Sequence, residues 1–532
     1  MSINNISIIN NAYSALEIAQ AGMTITSQNV SGANVEGFSR RRANNVIGLM
    51  APTSRDFGST AFAVEGFTRF IDNLLTKQML DQRSKTSYTN TLLQSVAGLD
   101  SLMMDPASSI SAAVSKFLNA AGTLANDDQS LTNKQNFAGA AELLANRISS
   151  FNTYLGDVKK STQINFTGIL NEANSLAPAL RSINQKILAS SSPGYSTPSA
   201  DLLDERDRIT MRLQDLMGGT TIINEDGTAT FQIGGVSLVD RMHANQFVNT
   251  DIGVSDGALF NVFMKNEQTG YLVGPLSTNV RDSEEPYLSV KTIFTAGQAG
   301  GAFEILSNFL PKVQRELSAF TVGLFRDVNY INYDPDTYDP DNIDESITQV
   351  FGFKSSGGTS TTFFPSEYAD ALLETDENGF VMKIEDIMDA ADPSSQNYDP
   401  NIAAIVNNRV PGASFDLSSF VSMLSYGPDI VNNFPIEASA ANRIEQLRSS
   451  LTNPLSLITS DVATTISSWK STDKVNQVIA KQLSDRRESI SGVNLDEEAA
   501  NLVKFQQMYA AASKVMQTAN QMFNLLLNML SE

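Results

Sequence analysis

The chain contains no cysteine among its 532 residues, which excludes a disulfide framework, a thiolate nucleophile and any zinc site built on sulfur. It contains one histidine, His243, so a metal cage of several imidazoles is excluded too. A lone imidazole without a neighbouring partner is expected to be a surface or satisfied side chain, not a general base. Basic residues are scarce: 37 Lys and Arg face 58 Asp and Glu, for a net charge of −21. Affinity for a phosphate backbone comes mainly from Lys and Arg clusters, so no nucleic-acid partner is expected. No run approaches the roughly 18 to 20 apolar residues that span a bilayer, and the N-terminus lacks the basic region and apolar core of a secretory signal. No membrane insertion is expected; the chain either stays in the cytoplasm or leaves by a route that reads no cleaved signal. A chain without cysteine suits the second option, since oxidation cannot trap it while unfolded.

Basic charge is also missing from the N-terminal end, and charge of either sign from the C-terminal end. No Lys or Arg precedes Arg40, and no charge of either sign lies between Lys514 and Glu532. What stands there is an apolar stripe in alternating steps of three and four, the spacing that keeps one seam of a helix against a partner helix. At the N-terminal end it runs Ile9, Ala12, Leu16, Ala19, Met23 and Val30, with Thr26 in the one polar place. At the C-terminal end a helix starting at Leu495 carries Leu502, Phe505, Tyr509, Ala512, Met516, Ala519, Phe523, Leu526 and Leu530. Such a stripe is commonly just the core face of a globular helix. Here both termini carry one, and termini ordinarily fray unless something ties them down. Each end is therefore a candidate partner for the other and for further copies, and these stripe residues are the candidate assembly interface.

A hydrophobic fraction of 42% with 18% charged residues belongs to a folded chain, and the length exceeds what one core usually holds. The expected class is an α+β multidomain protein, with a long helical bundle or coiled coil formed by both termini and β-rich middle domains inserted as outward-facing parts. Residues 1–40 with 495–532 form the terminal assembly domain in this reading. Residues 41–219 with 299–332 and 440–494 form a helical bundle, 220–298 a β-rich domain, and 333–439 a variable outer insertion. After the first helix, 31–39 reads as a loop and the stretch to about 66 as short mixed structure. Helical periodicity starts at Phe67, and helices are expected over 107–124, 134–166, 169–189 and 202–217, the last closed by Gly218 and Gly219. Asp226-Gly227 and Gly234-Gly235 separate short β-rich runs in the manner of hairpin turns.

Two motifs suggest chemistry. Gly253-Val254-Ser255-Asp256-Gly257 matches the nucleophile-elbow pattern, but that motif needs a helix after it and a His downstream. Here a strand-like alternation follows and His243 lies upstream, so a β-turn explains the segment. Asp334, Asp336, Asp339, Asp341, Asp344 and Glu345 invite a calcium reading. Counted from Asp334, the sixth place of an EF-hand loop holds Asp339 instead of Gly, and Pro335 and Pro340 interrupt it, so a solvated acidic run is the reading kept. No phosphate-binding loop or dinucleotide fingerprint occurs. No cofactor, metal or enzymatic activity is expected.

Three stretches resemble one family. Residues 27–40, SQNVSGANVEGFSR, look like the Asn-rich loop that follows the first helix of the axial proteins of the bacterial flagellum, with Val35-Glu36 and Phe38 departing mildly from the usual pattern. Residues 491–502, SGVNLDEEAANL, continuing through Phe505-Gln506-Gln507 and Tyr509, are similar to the same family's C-terminal signature. Residues 201–207, DLLDERD, followed by the Asp-Gly hairpin, resemble the hook-associated branch found where hook meets filament. Asn494 followed by Asp496, Glu497 and Glu498 is in any case a good helix start, an N-cap with acids against the positive end of the dipole.

The resemblance implies a structural subunit exported unfolded by the flagellar type III apparatus and assembled as a ring between hook and filament, outside the cell after a transient cytoplasmic stage. It implies as partners further copies of the chain, the hook protein, a second junction protein, and a cytoplasmic export chaperone on the C-terminal region. Two other classes stay open. Another axial subunit, of hook, rod or flagellin type, would keep the terminal motifs without residues 201–207, and a secreted adhesin would use the middle domains on a coiled-coil stem.

Overall fold

The computed structural model describes residues 2–35, 37–49, 60–105, 109–190, 199–249, 261–266, 272–277, 294–330, 350–354, 361–362, 382–407, 417–424, 434 and 436–530. The G-x-S-x-G segment at 253–257 and the acidic run at 334–345 lie outside them. The chain is predominantly helical with few strands. Its helices are α1 (Ser2–Gly32), α2 (Asn73–Ser95), α3 (Leu99–Met104), α4 (Ile110–Asn126), α5 (Leu131–Ser190), α6 (Ala200–Met217), α7 (Gly297–Glu304), α8 (Leu310–Asn329), α9 (Ile384–Ala390), α10 (Pro400–Val406), α11 (Ala438–Gln446), α12 (Arg448–Ser491) and α13 (Leu495–Leu530). The strands are β1 (Arg41–Leu49), β2 (Thr60–Arg69), β3 (Thr220–Ile223), β4 (Ala229–Ile233), β5 (Val236–Val239), β6 (Asn245–Asn249), β7 (Asn261–Asn266), β8 (Leu272–Ser277), β9 (Phe351–Lys354), β10 (Thr361–Thr362) and β11 (Phe420–Ser422). Among the described residues they form one two-stranded and three three-stranded antiparallel sheets, β1-β2, β3-β4-β5, β6-β7-β8 and β10-β9-β11.

Two compact units divide the chain. The first holds Met1–Asn90, Phe166–Gly301 and Asp473–Glu532. Here α6 is the hub, because its charged residues reach out in several directions. Arg212 makes a bidentate pair with Glu172 of α5 at 2.6 and 2.8 Å, and Asp215 one with Arg83 of α2 at 3.0 and 2.6 Å. The helix stops at Gly218, whose φ of +64° is a left-handed cap that lets its N–H donate to the Gln214 carbonyl, the ending expected from sequence. Two asparagines of α5 hold the small sheets: Asn184 donates to the carbonyls of Ala229 and Asp240 and accepts from Ala229 N–H, and Asn174 pairs with both backbone groups of Phe247. A primary amide carries the same donor and acceptor as a peptide group, so each extends a strand's bonding onto a helix.

The second unit holds Thr91–Asn165 and Ala302–Thr472. Its core is rich in phenylalanine: Phe117, Phe137, Phe351, Phe353 and Phe420 are essentially solvent-free, with ring centroids 5.2 Å apart for Phe117–Phe137 and for Phe351–Phe420. Ring pairs at this spacing add to the area they bury. Asn329, at the end of α8, accepts from the N–H groups of Val350 and Phe351 and donates to the Phe351 carbonyl, anchoring β9.

On α8 the carboxylate of Glu316 is largely enclosed, 3.9 Å from Lys312 Nζ, and its Oε2 has no hydrogen-bond partner. Burial pushes its pKa up to about 7 from 4.5, with Lys312 opposing and the charges of Asp461 and Asp392 adding to the rise while Arg315 also opposes. Between those two values the folded chain keeps a proton that the unfolded chain has released. Its contribution is therefore complete below about pH 4.5 and lost as pH rises toward 7. Glu316→Gln is expected to match the parent near pH 4.5 and to exceed it at pH 8 by about 2 kcal/mol, read from urea unfolding of this unit, after allowance for solvent screening. An equal urea midpoint for parent and variant at both pH values would show a hydrated carboxylate.

Three boundaries differ from the sequence expectation. Phe67 lies in β2, not in a helix, and helical structure starts only at Asn73, where Asp72 Oδ1 accepts from the N–H groups of Leu74 and Leu75. The expected break between 166 and 169 does not occur: α5 runs unbroken from Leu131 to Ser190, through Gly168 and Pro178. The expected loop at 31–39 begins later, since α1 continues to Gly32.

Candidate assembly site

The two ends of the chain meet. α1 packs along α13, and two close pairs fix their relation: Asn29 with Glu498, and Gly22 with Phe505. Seven residues separate the pairs on each helix, and the numbers run in opposite senses, so the helices are antiparallel. On α13 the buried positions are Glu498, Ala512 and Ala519, with Phe505 half-buried between them, one every seven residues. On α1 Ala12, Ala19 and Thr26 form one buried row and Gly22 and Asn29 another, with Ser14, Ile25 and Gly32 buried as well. Seven residues bring a helix back nearly to the same face, which gives one continuous seam.

The candidate interface residues fall into two sets. Ala12, Ala19, Ala512 and Ala519 are buried between the helices, and Ile9, Leu16, Met23, Leu502, Phe505 and Met516 are half-buried there. Val30, Leu495, Tyr509 and Phe523 are exposed instead, joined by Tyr13, Val503, Val515 and Leu525. The side chains of Leu526 and Leu530 lie outside the described part of α13. The seam therefore passes through Asn29, 1% exposed, where the apolar spacing pointed to Val30, 45% exposed.

Around Asn29 the three sequence motifs converge. Its amide donates to the Arg41 carbonyl at 3.0 Å and to Glu498 Oε2 at 3.2 Å, and its Oδ1 accepts from Arg41 N–H at 2.9 Å. Arg40 donates to Glu498 Oε1 at 2.9 Å and forks onto Glu497 at 3.1 and 2.7 Å. The fork raises the Arg40 pKa and holds the Glu497 carboxyl below its ordinary value. Asn494 caps α13 by accepting from the N–H of Asp496 at 3.0 Å, as expected from sequence. Two more bonds close the join, from the Arg40 backbone N–H to the Ser491 carbonyl and from Arg487 Nη2 to the Phe38 carbonyl.

The third motif grips the hairpin next to it. Arg41 and Arg69 are partners across β1 and β2, and like charges directly opposite each other repel. Asp204 lies between them, one oxygen 2.5 Å from Arg41 Nη2 and the other 2.6 Å from Arg69 Nη1. Asp201 adds a contact to Arg41 at 2.7 Å and Asp207 one to Arg69 at 2.9 Å. Burial pulls the Arg41 pKa down, and its bonds to Asp204 and Asp201 lift it by more. The guanidinium also lies 4.9 Å over the Phe38 ring. Beside this cluster a cleft of about 380 Å³ opens between the end of α1 and the start of α6, lined by Gln28, Val35, Phe38, Arg41 and Asp201 among others.

Sequence reasoning passed over Arg41, Arg69 and Gly22, and it placed Asn29, Arg40 and Glu498 in motifs without seeing that they contact one another. One signal was present: Glu498 stands seven residues before Phe505, a charge in a heptad row. His243 is exposed and faces only Asp240, at 3.3 Å. No group of three or more His, Asp or Glu side chains arranged to hold a metal occurs among the described residues, and no described helix is long and apolar enough to cross a membrane.

The site is thus a pair of terminal helices whose flanking turn motifs are locked by ion pairs. The family described as "Flagellar hook-associated protein FlgK helical domain" matches residues 96–337, and "Flagellar basal body rod FlgEFG protein C-terminal" matches 487–529. These two matches cover separate stretches of the chain, and both families are flagellar. Its full-length relatives include flagellar hook-associated protein 1 of Salmonella typhimurium and of Escherichia coli, each 25% identical over 98% of this chain and 99% of the relative, and that of Bacillus subtilis, 21% identical over 97% of both. The chain is thus similar to hook-associated protein 1 from end to end. A solved structure, that of the flagellar hook junction protein FlgK from Burkholderia pseudomallei, aligns with 54% of this chain and 46% of its own at 21% identity and a TM-score of 0.41.

Proposed function

We propose that the chain is a structural, non-enzymatic subunit of the bacterial flagellum that forms the ring joining hook to filament. The observation that carries this is the double character of its terminal helices, read with the end-to-end likeness to hook-associated protein 1. One set of apolar residues is used up inside the α1–α13 pair, and a second set, including Tyr13, Leu495, Tyr509, Phe523 and Leu525, stays in water. Burying a side chain of that size contributes roughly 1.5 to 3 kcal/mol, so a subunit bordered by copies of itself gains much from contacts a lone chain lacks.

In this reading residues 1–40 and 495–532 are the assembly domain, an antiparallel coiled coil that packs on neighbours in the wall of the tube. The β-rich residues 220–298 and the insertion 333–439 face outward from a helical bundle. The chain leaves the cytoplasm unfolded through the type III apparatus, escorted by a chaperone on its C-terminal region. It then contacts the hook protein on one side and a second junction protein on the other.

The test is electron microscopy and motility of cells whose chromosomal copy lacks residues 495–532. Hooks without filaments, with flagellin shed into the medium, are the expected result. Normal filaments would overturn the junction assignment.

A further inference from the structure

Six of the buried positions on α1 and α13 carry small residues, Ala12, Ala19, Gly22, Thr26, Ala512 and Ala519, while the larger Leu16, Met23, Leu502, Phe505 and Met516 are half-buried beside them. Small side chains at the buried positions specify register poorly, because a slide of one heptad brings similar residues opposite one another. One such slide would put Glu498 opposite Gly22 and Phe505 opposite Ala15; the opposite slide would put Phe505 opposite Asn29. Only the observed register brings the Glu498 carboxylate, 2% exposed, to the Asn29 amide and to Arg40 Nε.

We infer that the buried Asn29–Glu498 pair, completed by Arg40, determines the register and pairing partner of the terminal helices. A carboxylate enclosed in any other register meets no donor, and an unpaired buried charge is strongly disfavoured. The apolar seam supplies attraction in every register, and the polar pair selects one. This rests on the geometry within one chain and stands apart from the junction reading.

The absence of cysteine makes the test clean, since introduced thiols have no competitor in the full-length chain. The seven-residue step from Gly22 and Phe505 places Ala15 opposite Ala512. Ala15→Cys with Ala512→Cys therefore reports the native register, and Ala15→Cys with Ala519→Cys and Ile8→Cys with Ala512→Cys report slides in the two directions. In the otherwise unchanged full-length chain the native pair is expected to form its disulfide at least about tenfold more than either slid pair, the discrimination expected from an unmade buried bond. Asn29→Leu with Glu498→Leu is expected to keep the helices docked while bringing the three yields within about threefold of one another, because an apolar pair of similar volume preserves packing without choosing a partner. Glu498→Gln offers one oxygen where Asn29 and Arg40 use two, and is expected to discriminate between registers less than the parent and more than the leucine pair. A leucine pair that still crosslinks only in the native register would assign the role to Phe505 over Gly22. Loss of all three crosslinks in that variant, or equal yields in the parent, would also overturn the inference.

Discussion

Asp204→Ala is expected to destabilise the first unit by about 3 to 5 kcal/mol and to release the β1–β2 hairpin, seen as lost amide protection over residues 41–49 and 60–69. The size follows from what the carboxylate separates. Arg41 and Arg69 are cross-strand partners, and both side chains are only 5% exposed. The Nε atoms of both are buried without a hydrogen-bond partner, so the Nη groups carry the whole burden of satisfaction. With Asp204 gone, Asp201, itself well exposed, and Gln28 remain for Arg41, and Asp207, shared with Arg206, remains for Arg69. Two desolvated cations then face each other across a ribbon that is two-stranded among the described residues. Asp204→Asn tests the cause, since it keeps the volume and removes the charge. Its amide hydrogens would point at one of the guanidiniums, so it is expected to cost nearly as much as alanine. A loss below about 1 kcal/mol for both variants, the scale of a solvated surface pair, would sink this account.

The parts of the molecule that sequence revealed are those governed by neighbours in the chain. Gly218 ends α6 because a left-handed cap needs a residue without a Cβ, and Asn494 starts α13 because its side chain reaches N–H groups two and three residues on. The Asp226-Gly227 turn is equally local, with Asp226 Oδ1 accepting from Thr228 N–H. The alanine rows of α1 and α13 were visible for the same reason, as a period in the apolar residues.

What stayed hidden depends on partners far away in sequence. Residues 41–49 and 60–69 have little strand-like alternation, and their pairing is held by carboxylates some 135 residues downstream. Asn29 and Glu498 interrupt the apolar stripes, so a search for hydrophobic periodicity steps over the two most informative positions in the seam. The stretch around Gly168 reads as a break in α5 on local propensity alone, and tertiary contacts such as those of Asn174 and Asn184 carry the helix through. The likeness of residues 201–207 to a family motif was visible without its physical meaning, which is a clamp on two arginines.

Gly22→Val is expected to undock α1 from α13, at a cost of about 3 kcal/mol to their pairing, and to leave cells with hooks that do not hold filaments. A Cβ at Gly22 would lie 2.5 Å from Cδ1 and Cε1 of Phe505 and 2.6 Å from Cζ, well inside contact distance. The ring cannot simply step aside, because Phe505 sits in the seam between Glu498 and Ala512, and moving it drags the Asn29–Glu498 contact seven residues away. The helices must therefore separate along several turns. Each turn then loses the close approach that Ala12, Ala19, Ala512 and Ala519 permit, and with it their dispersion contacts. Removing the obstacle distinguishes this from a simple loss of helix propensity: Phe505→Ala in the Gly22→Val background makes room for the new side chain. Limited proteolysis of the two ends is expected to show that the double variant is more protected than Gly22→Val alone. Strictly additive losses would mean that the glycine and the ring do not meet.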